Sequence, residues 1–401
     1  MKKLHFTLKT LLLATLGALL LGACQKTAAP TDGISINGTI TNFDGDSLYL
    51  YDVFNEHYGY IVPVATIEAK NGKFVYTNDS ILSKVYYIST KEQQSAGNSD
   101  DLGAFFFLSR GENKLSLNVI ESGALEGKVL DSAIDEKYQA FKEKEYTLGN
   151  QAALDSLYAA FYVARDAGDT LQMAEINKAI EEPIYDESAA RKEAWLDSLL
   201  KANNHELFDL YLHYNRVFSL TSFDSLESIN SAREDLKLYN EEAQASGYAA
   251  LITKSLDQQE LSAIGKVAPD VSGESPEGEM INLSDFRGKY VLMDFWSSGC
   301  SWCRAETPNL VKTFEAFKDK DFTILGISTD FDKSAWIKAI EEDGAAWNHL
   351  ILDKQGNKKA LADYSIAGIP QIILLDKEGN ILAKGLRGEE IYETVAKYLA
   401  E

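Results

Sequence analysis

The stretch Asp294–Cys303, with the sequence DFWSSGCSWC, decides how the last third of this chain is expected to fold. Its first residues end an apolar run that predicts a strand, and Cys300 and Cys303 stand three positions apart where a helical pattern begins. At a helix N-terminus, unpaired backbone N–H groups and the helix dipole favour the thiolate of Cys300, and Cys303 follows one turn later on the same face. Because the thiolate is the reactive form of cysteine, this arrangement predicts a pair that cycles between dithiol and disulfide.

The sequence around this pair alternates between strand and helix patterns over residues 266–401. Three apolar runs predict buried strands, at 290–293, 323–327 and 371–375. Periodic segments predict helices at 303–318, 333–343, 355–364 and 389–400. Strands that alternate with helices indicate an α/β sheet.

Several other residues are candidates for the same site. Asp294 lies on the strand that leads to Cys300, and a buried carboxylate there would have a raised pKa and could accept the proton of Cys303. Glu306 follows Cys303 by one turn and is a second candidate acid/base. Before the last long apolar strand, a cis Pro370 would expose the Ile369 backbone to an extended substrate peptide. Trp302 is either an exposed substrate contact or part of the packing.

These motifs resemble the thioredoxin fold, and specifically the membrane-tethered extracytoplasmic thiol–disulfide oxidoreductases of the TlpA/ResA type, over about residues 266–401. The matching segments are Ala268-Pro269-Asp270, residues 283–289, Asp294-Phe295-Trp296, the two cysteines, Glu306, Pro308 and Ile369-Pro370. The chain departs from the family at Gly299, where members usually have Trp, and in the Ser301-Trp302 pair between the cysteines.

The resemblance implies a role for each of these residues. Cys300 is the attacking thiol, Cys303 resolves the mixed disulfide, and Ile369-Pro370 form the cis-proline platform. The buried-acid role falls on Asp294 by likeness to the thioredoxins and on Glu306 by likeness to the ResA type, and the choice between them stays open. The expected partners are protein thiols and disulfides and, for a reductant, a membrane thiol-relay electron donor. Cytochrome maturation is one role that fits, and no cofactor or metal is expected.

The amino terminus has the pattern of an export signal. Lys2 and Lys3 precede an apolar run, Leu11–Gly22, which is too short to span a bilayer. The run ends in Leu21-Gly22-Ala23-Cys24, which resembles the bacterial lipoprotein cleavage box. The resemblance implies that the Cys24 thiol is diacylated and that Cys24 becomes the new N-terminus once residues 1–23 are removed. Residues 24–33 would then be a tether, and the protein would be lipid-anchored in the cell envelope, facing the periplasm. The alternative is an ordinary secretory signal with an incidental cysteine.

The chain between tether and cysteine pair divides into two further regions, so a multidomain fold is expected. Residues 34–125 alternate in the manner of strands, with a hairpin signal at Asn71-Gly72, and predict an all-β domain, a sandwich. Residues 126–265 have helical periodicity and predict an α-helical region. Together the two regions resemble the amino-terminal extension, of unknown function, found on tethered thioredoxin lipoproteins.

Composition narrows the function further. The 401 residues carry a formal net charge of −22, which repels nucleic acid and argues against polyanion binding. A structural zinc site needs four ligands, and residues 266–401 offer only the cysteine pair and His349.

The leading hypothesis is a lipid-anchored thiol–disulfide oxidoreductase that forms mixed disulfides with protein thiols. Reduction of protein disulfides is favoured, while Gly299 and the Ser301-Trp302 pair leave the direction of electron flow open. Three alternatives to this hypothesis also stay open. The first is a peroxiredoxin-type peroxidase, although residue 293 is Met where that family has Pro. The second is a binding lipoprotein without enzymatic activity that uses residues 34–262, and the third is a static structural disulfide.

Overall fold

The structure is a computed structural model that describes residues 33–52, 63–92, 103–148, 151–181, 183–218 and 221–400. The predicted signal peptide, Cys24 and the tether up to residue 32 lie outside the described residues. In these ranges, no helix is long and apolar enough to cross a membrane.

The amino-terminal region is β-rich, as predicted. Its strands are β1 (Ile34–Thr41), β2 (Ser47–Tyr51), β3 (Ala65–Lys70), β4 (Lys73–Asn78), β5 (Lys84–Ser89), β6 (Ala104–Leu108), β7 (Gly111–Val119) and β8 (Leu125–Leu130). They form one sheet in the order β6-β5-β2-β3-β4-β1-β7-β8. The sheet curves so that its end strands β6 and β8 lie close together.

This single sheet differs from the expected sandwich because β3 joins its two halves. The first four residues of β3 pair with β2, and its last two pair with β4. The β3–β4 turn is the predicted Asn71-Gly72 hairpin, and both residues have positive φ, 51° and 70°. A two-residue type I′ turn requires this conformation at both central positions, which favours Asn-Gly.

The central region is largely helical, but residues 126–130, the start of the predicted helical region, belong to strand β8 because they pair with β7. Its helices are α1 (Ala133–Leu148), α2 (Gln151–Ala167), α3 (Thr170–Glu181), α4 (Pro183–Lys201), α5 (Leu207–Arg216), α6 (Leu226–Leu236), α7 (Glu241–Gln244) and α8 (Gly247–Glu260). In α2, Ala164, Leu157 and Phe161 face a small cluster with α3, whereas Tyr158 and Tyr162 are exposed.

The helices and the β-rich sheet share one hydrophobic core. Val85 of β5 and Phe107 of β6 point away from the interior of the sheet and pack among the aromatic side chains of the helices. The centroid of the Phe107 ring lies 6.0 Å from the ring centroids of both Tyr211 and Tyr248. Asp135 of α1 also accepts hydrogen bonds from the backbone N–H of Phe107, at 2.9 Å, and of Val129, at 3.1 Å. The two regions are therefore packed together as one unit.

The carboxy-terminal domain has the predicted α/β architecture. Its strands are β9 (Ser272–Glu274), β10 (Met280–Asn282), β11 (Tyr290–Trp296), β12 (Phe322–Ser328), β13 (Asn348–Ile351), β14 (Gln371–Leu375) and β15 (Ile381–Lys384). Its helices are α9 (Ser301–Phe317), α10 (Lys333–Asp343), α11 (Lys354–Asp363) and α12 (Glu389–Ala400). The sheet order is β10-β9-β13-β12-β11-β14-β15, with β11, β12 and β13 parallel and β14 antiparallel to β11.

The three predicted apolar runs are the central strands β11, β12 and β14, which are buried on both faces. One face of β11 carries Val291, Met293 and Phe295, which pack in a core with Tyr364. The other face carries Leu292, which packs with Leu310 of α9, and Trp296, which packs with Cys303 of the same helix. Because side chains alternate along a strand, Asp294 lies between Leu292 and Trp296, on the face that α9 covers.

Candidate active site

The cysteine pair lies where β11 gives way to α9. Cys300 is the N-cap residue of α9, with extended backbone angles of φ −86° and ψ 103°, and its Sγ lies 3.1 Å from the backbone N of Cys303. Cys300 and Cys303 are joined by a disulfide, and their Cα atoms are 5.3 Å apart. Cys303 is buried, with 4% of its surface exposed, whereas Cys300 is half-buried. The more accessible sulfur is therefore that of Cys300, the one at the helix N-terminus.

The Ile369–Pro370 segment faces this disulfide. Its peptide bond is cis, and the Ile369 carbonyl oxygen lies 3.8 Å from Cys300 Sγ. Ile369 is half-buried and belongs to the apolar cluster around the two cysteines, whereas Pro370 is buried. A backbone carbonyl this close to the accessible sulfur can pair with a peptide whose own sulfur is bonded to Cys300.

Asp294 is a buried carboxyl group on the sheet face beneath α9. Only 7% of its surface is exposed, and its neighbours across the sheet are Gly326 and Ile372. Burial raises its pKa from 3.8 to about 7, the Arg387 charge partly opposes this rise, and the Glu306 charge adds to it. A group with this pKa can take up or release a proton near neutral pH.

Glu306 lies one turn after Cys303 but serves a second purpose. Its Oε2 accepts hydrogen bonds from the Gly388 backbone N–H, at 3.0 Å, and from the Asn309 side chain, at 3.2 Å. These bonds hold the loop between β15 and α12 against α9. Glu306 therefore acts on the site both as a charge near Asp294 and as an anchor for this loop.

The same loop contributes Arg387, which the sequence did not single out. Its guanidinium donates hydrogen bonds to the carbonyl oxygens of Pro370 and Leu386. Arg387 and Gly388 thus connect the platform at Pro370 with Glu306 on α9. No local pattern marks them, because their partners lie 17 and 82 positions away in the sequence.

A second loop, between β12 and α10, supports the segment that precedes Cys300. The parallel pairing of Trp296 with Ser328 ends β11 and β12 at the same edge of the sheet. Asp330 accepts hydrogen bonds from Ser298 N, at 2.8 Å, from Ser298 Oγ, at 2.7 Å, and from Ser328 Oγ, at 2.8 Å. The Thr329 N–H donates to the Trp296 carbonyl oxygen at 2.9 Å. These bonds fix the path of the chain into Cys300.

The outer surface beside Cys300 is aromatic. Trp302 is 78% exposed and Phe331, which follows Asp330, is 82% exposed. An added Cβ at Gly299 would meet no heavy atom within 4 Å, so the position before Cys300 is open. Of the two possibilities for Trp302, exposure is the one observed.

The carboxy-terminal domain is similar to known redox proteins. Residues 264–384 match the AhpC/TSA family. The chain is 28% identical over 142 residues to the thiol-disulfide oxidoreductase ResA of Bacillus thuringiensis, a region that covers 35% of this chain and 80% of that protein. It is 32% identical over 118 residues to the thioredoxin-like protein YneN of Bacillus subtilis, covering 29% of this chain and 68% of that protein.

Solved structures include a similar domain. The chain is 55% identical to the thioredoxin domain of a thiol-disulfide oxidoreductase from Bacteroides vulgatus, covering 34% of this chain and 98% of that one, with a TM-score of 0.34.

The sequence similarity and the site concern the same residues. The matched region contains both cysteines, Asp294 and the Ile369–Pro370 segment. A cysteine pair at a helix N-terminus, one sulfur accessible and the other buried, is suited to thiol–disulfide exchange. Through this domain, the chain belongs to the thioredoxin-like thiol–disulfide oxidoreductases.

Proposed function

We propose that this protein is a lipid-anchored, extracytoplasmic enzyme that reduces disulfides of client proteins. The observation that carries the proposal is the arrangement of Cys300, which caps α9, faces the Ile369 carbonyl and has the buried Cys303 one turn behind it. This arrangement supports one attacking and one resolving thiol.

The first chemical step forms a mixed disulfide. In the dithiol form, the Cys300 thiolate attacks one sulfur of the client disulfide, and a bond between Cys300 and that sulfur forms as the client S–S bond breaks. The other client sulfur leaves as a thiolate and takes a proton from solvent. The backbone N–H groups at the start of α9, among them the Cys303 N–H that points at Cys300 Sγ, stabilise the negative charge on the attacking sulfur.

The second step releases the client. Cys303 gives its proton to the Asp294 carboxylate, and the resulting thiolate attacks Cys300 Sγ. The mixed disulfide breaks, and the client leaves as a second thiolate, which is then protonated. The client has gained two electrons, and the cysteine pair of the enzyme is oxidised. A thiol donor must therefore reduce the Cys300–Cys303 disulfide again, and we propose a membrane thiol-relay protein as this donor.

Asp294 suits this proton transfer better than Glu306. Asp294 lies on the sheet face that α9 covers. Its neighbours on that face are Leu292, which packs with Leu310, and Trp296, which packs with Cys303. Glu306 is occupied by two hydrogen bonds to Gly388 and Asn309. We therefore assign the proton acceptor to Asp294 and assign Glu306 to the support of the site.

Trapping tests the reaction. The reduced enzyme, freed of reductant and mixed with insulin, should release insulin thiols in proportion to enzyme added. Cys303→Ala should stop at a one-to-one mixed disulfide with an insulin chain, and Cys300→Ala should form none. If Cys303→Ala forms no mixed disulfide and the wild type releases no thiols, the proposal is wrong. Peroxide consumption by the same wild-type preparation would instead support the peroxidase alternative.

Metabolic labelling tests the anchor. The proposal rests on Leu21-Gly22-Ala23-Cys24, whose pattern resembles a lipoprotein cleavage box. Cells that grow on labelled palmitate should incorporate the label into the wild type but not into Cys24→Ala, and the variant should move from the membrane to the soluble fraction. Equal labelling of both proteins would refute the anchor while leaving the redox proposal untouched.

A further inference from the structure

The helical region contains a cavity that takes no part in the redox site. It has a volume of about 350 Å³ and lies between α5, α6, the segment that joins them and Ile252 of α8. Cavities of about 300–1,000 Å³ with mainly apolar walls and a few polar groups typically bind small molecules. Of the described residues, those that line this cavity all fall between Leu210 and Ile252, so the cavity belongs to the helical region alone.

The cavity has an apolar floor and a polar mouth. Leu210, Phe218 and Ile252 are buried, and the ring centroids of Phe218 and Phe223 are 5.0 Å apart. Asp235, by contrast, is exposed to solvent. A ligand that fills this cavity therefore needs an apolar body and a polar group at one end.

A chain of hydrogen bonds fixes which proton His213 carries. The Asn203 side-chain oxygen accepts from the His205 N–H at 2.8 Å, so the Asn203 amide nitrogen is the atom that donates to the Tyr239 hydroxyl at 3.2 Å. The Tyr239 hydroxyl also lies 3.3 Å from His213 Nδ1. Because this hydroxyl accepts from Asn203, we assign its own proton to the bond with Nδ1.

His213 therefore offers the cavity a hydrogen-bond donor. Burial lowers the pKa of His213, and the Asp235 charge only partly opposes this effect, so the ring is neutral at pH 7. With Nδ1 as the acceptor, the single N–H of the neutral ring is at Nε2. Among the described residues, only Nδ1 of this ring has a hydrogen-bond partner, which leaves the Nε2–H for a ligand.

Asp235 complements this donor with an acceptor. Of the described residues that line the cavity, it is the only one with a full charge while His213 is neutral. An N–H donor and a carboxylate acceptor together suit a hydroxyl group, which accepts one hydrogen bond and donates another. An ammonium group would leave the His213 N–H unpaired, and an anion would be repelled by Asp235.

We propose that this cavity binds a small neutral amphiphile with an aromatic or aliphatic body and one hydroxyl group. The body fills the apolar floor, and the hydroxyl donates to the Asp235 carboxylate while it accepts from His213 Nε2. Removal of the body from water supplies affinity, and the two hydrogen bonds supply specificity. No thiol takes part, so the inference goes beyond the proposed function and does not depend on it.

Three naphthalene probes test the inference with the full-length protein at pH 7. 2-Naphthol carries the hydroxyl, 2-methylnaphthalene replaces it with a methyl group, and 2-naphthoate replaces it with a carboxylate. Titrations followed by probe fluorescence give a Kd for each probe. We expect the wild type to bind both neutral probes and to bind 2-naphthoate about tenfold more weakly than 2-naphthol.

Two variants separate the hydrogen bond from the cavity. In His213→Phe, which keeps a ring but has no N–H, the affinity for 2-naphthol relative to that for 2-methylnaphthalene should fall about tenfold. Ala232→Phe fills the cavity from α6 and should weaken the binding of both neutral probes. Ala250→Phe, on the exposed side of α8 and outside the cavity lining, is the matched control and should keep the wild-type affinities. Cooperative urea unfolding shows that each variant is folded.

Four results would overturn the inference. A wild type that binds neither neutral probe has no such site, and unchanged affinities in Ala232→Phe would place the bound probes elsewhere. A wild-type affinity ratio in His213→Phe would refute recognition of the hydroxyl. A dimer in sedimentation experiments that Ala232→Phe dissociates would assign the cavity to self-association. None of these readouts involves a cysteine, so each would leave the proposed function standing.

Discussion

At the scale of single residues, Asp294 makes the stability of the folded protein depend on pH. Its carboxyl group is buried among apolar neighbours on β11, and burial raises its pKa to about 7. The folded protein therefore holds this proton more tightly than the unfolded chain does, and ionisation of Asp294 opposes folding. A residue that costs stability in its charged form is typical of functional sites, where chemistry rather than packing determines the side chain.

Asp294→Asn should stabilise the oxidised protein above neutral pH. The pKa of Asp294 rises from 3.8 in the unfolded chain to about 7 in the fold, so its stabilising contribution is full below pH 4 and is lost as pH rises to 7. The upper estimate of the gain at pH 8 is about 4 kcal/mol, and it should vanish near pH 4. Urea unfolding followed by tryptophan fluorescence measures this, with the exposed Asp319→Asn as control. A gain that is equal at pH 4 and pH 8 would contradict the assignment.

Removal of the Arg387 charge and removal of the Glu306 charge should shift the pH dependence of the second chemical step in opposite directions. The step needs the carboxylate, so its rate should rise through pH 7 and then level off. Arg387→Gln removes a cation that favours the carboxylate and should move the midpoint to higher pH, whereas Glu306→Gln should move it to lower pH. Stopped-flow release of the second nitrothiobenzoate from 5,5′-dithiobis(2-nitrobenzoate) reports the step. Arg287→Gln is the control, and shifts of the same sign in both variants would disprove the coupling.

At the scale of elements, the loops after β11 and β12 act as one support for Cys300. Asp330 accepts three hydrogen bonds from Ser298 and Ser328 with its two oxygens. Asp330→Ala should lower the free energy of unfolding of this domain by about 2 kcal/mol, because it leaves donors without their charged acceptor. It should also slow the attack of Cys300, while Ser298→Ala, which keeps the backbone bond, should have a smaller effect on both. Urea unfolding and the rate with hydroxyethyl disulfide measure the two effects. If Asp330→Ala matches Asp319→Ala in both, the loops are not coupled in this way.

The same elements show what the sequence could predict. Long apolar runs and periodic segments gave β11, β12, β14 and the four helices of the domain, because burial on both faces or on one stripe leaves a clear pattern. The strands β9, β10, β13 and β15 have only three or four residues and were missed. Short strands carry too few side chains to show a period.

Some residues of the site could likewise be identified from the sequence, and others could not. The cysteines, Asp294 and Pro370 could be named from the sequence because each stands at a recognisable place beside a strand or helix. Asp330 and Arg387 lie in loops, and their roles depend on contacts made across 32 and 17 positions. Contacts of this kind arise from the way the sheet brings its loops to one edge, and no local pattern reports them.

At the scale of the whole molecule, the chain has two kinds of attachment between its parts. The β-rich and helical regions share a core in which Val85 and Phe107 pack among helix side chains. The carboxy-terminal domain joins them differently, through a linker whose Gly265 N–H donates to the Ile381 carbonyl oxygen of β15, and through buried Lys384, which lies 3.5 Å from Asp224. The first attachment is a packed interior, whereas the contacts named for the second are polar.

This difference predicts that residues 264–401 fold and react without the rest of the chain. The three apolar clusters of the domain draw every member from residues 268–399, so removal of residues 34–263 takes nothing from its interior. The loss is confined to polar contacts such as Lys384 with Asp224 and Gln258 with the Ala362 carbonyl oxygen.

We expect the fragment to unfold cooperatively and to reduce hydroxyethyl disulfide at about the full-length rate, since such polar contacts contribute little to stability. Lys384→Met, which also removes the buried charge, is the matched variant in the full-length protein. A fragment that lacks a cooperative unfolding transition would show that the domain depends on the rest of the chain. If residues 1–33 joined directly to this domain give a protein that is active in vitro but fails to replace the full-length protein in cells, residues 34–262 have a binding role of their own.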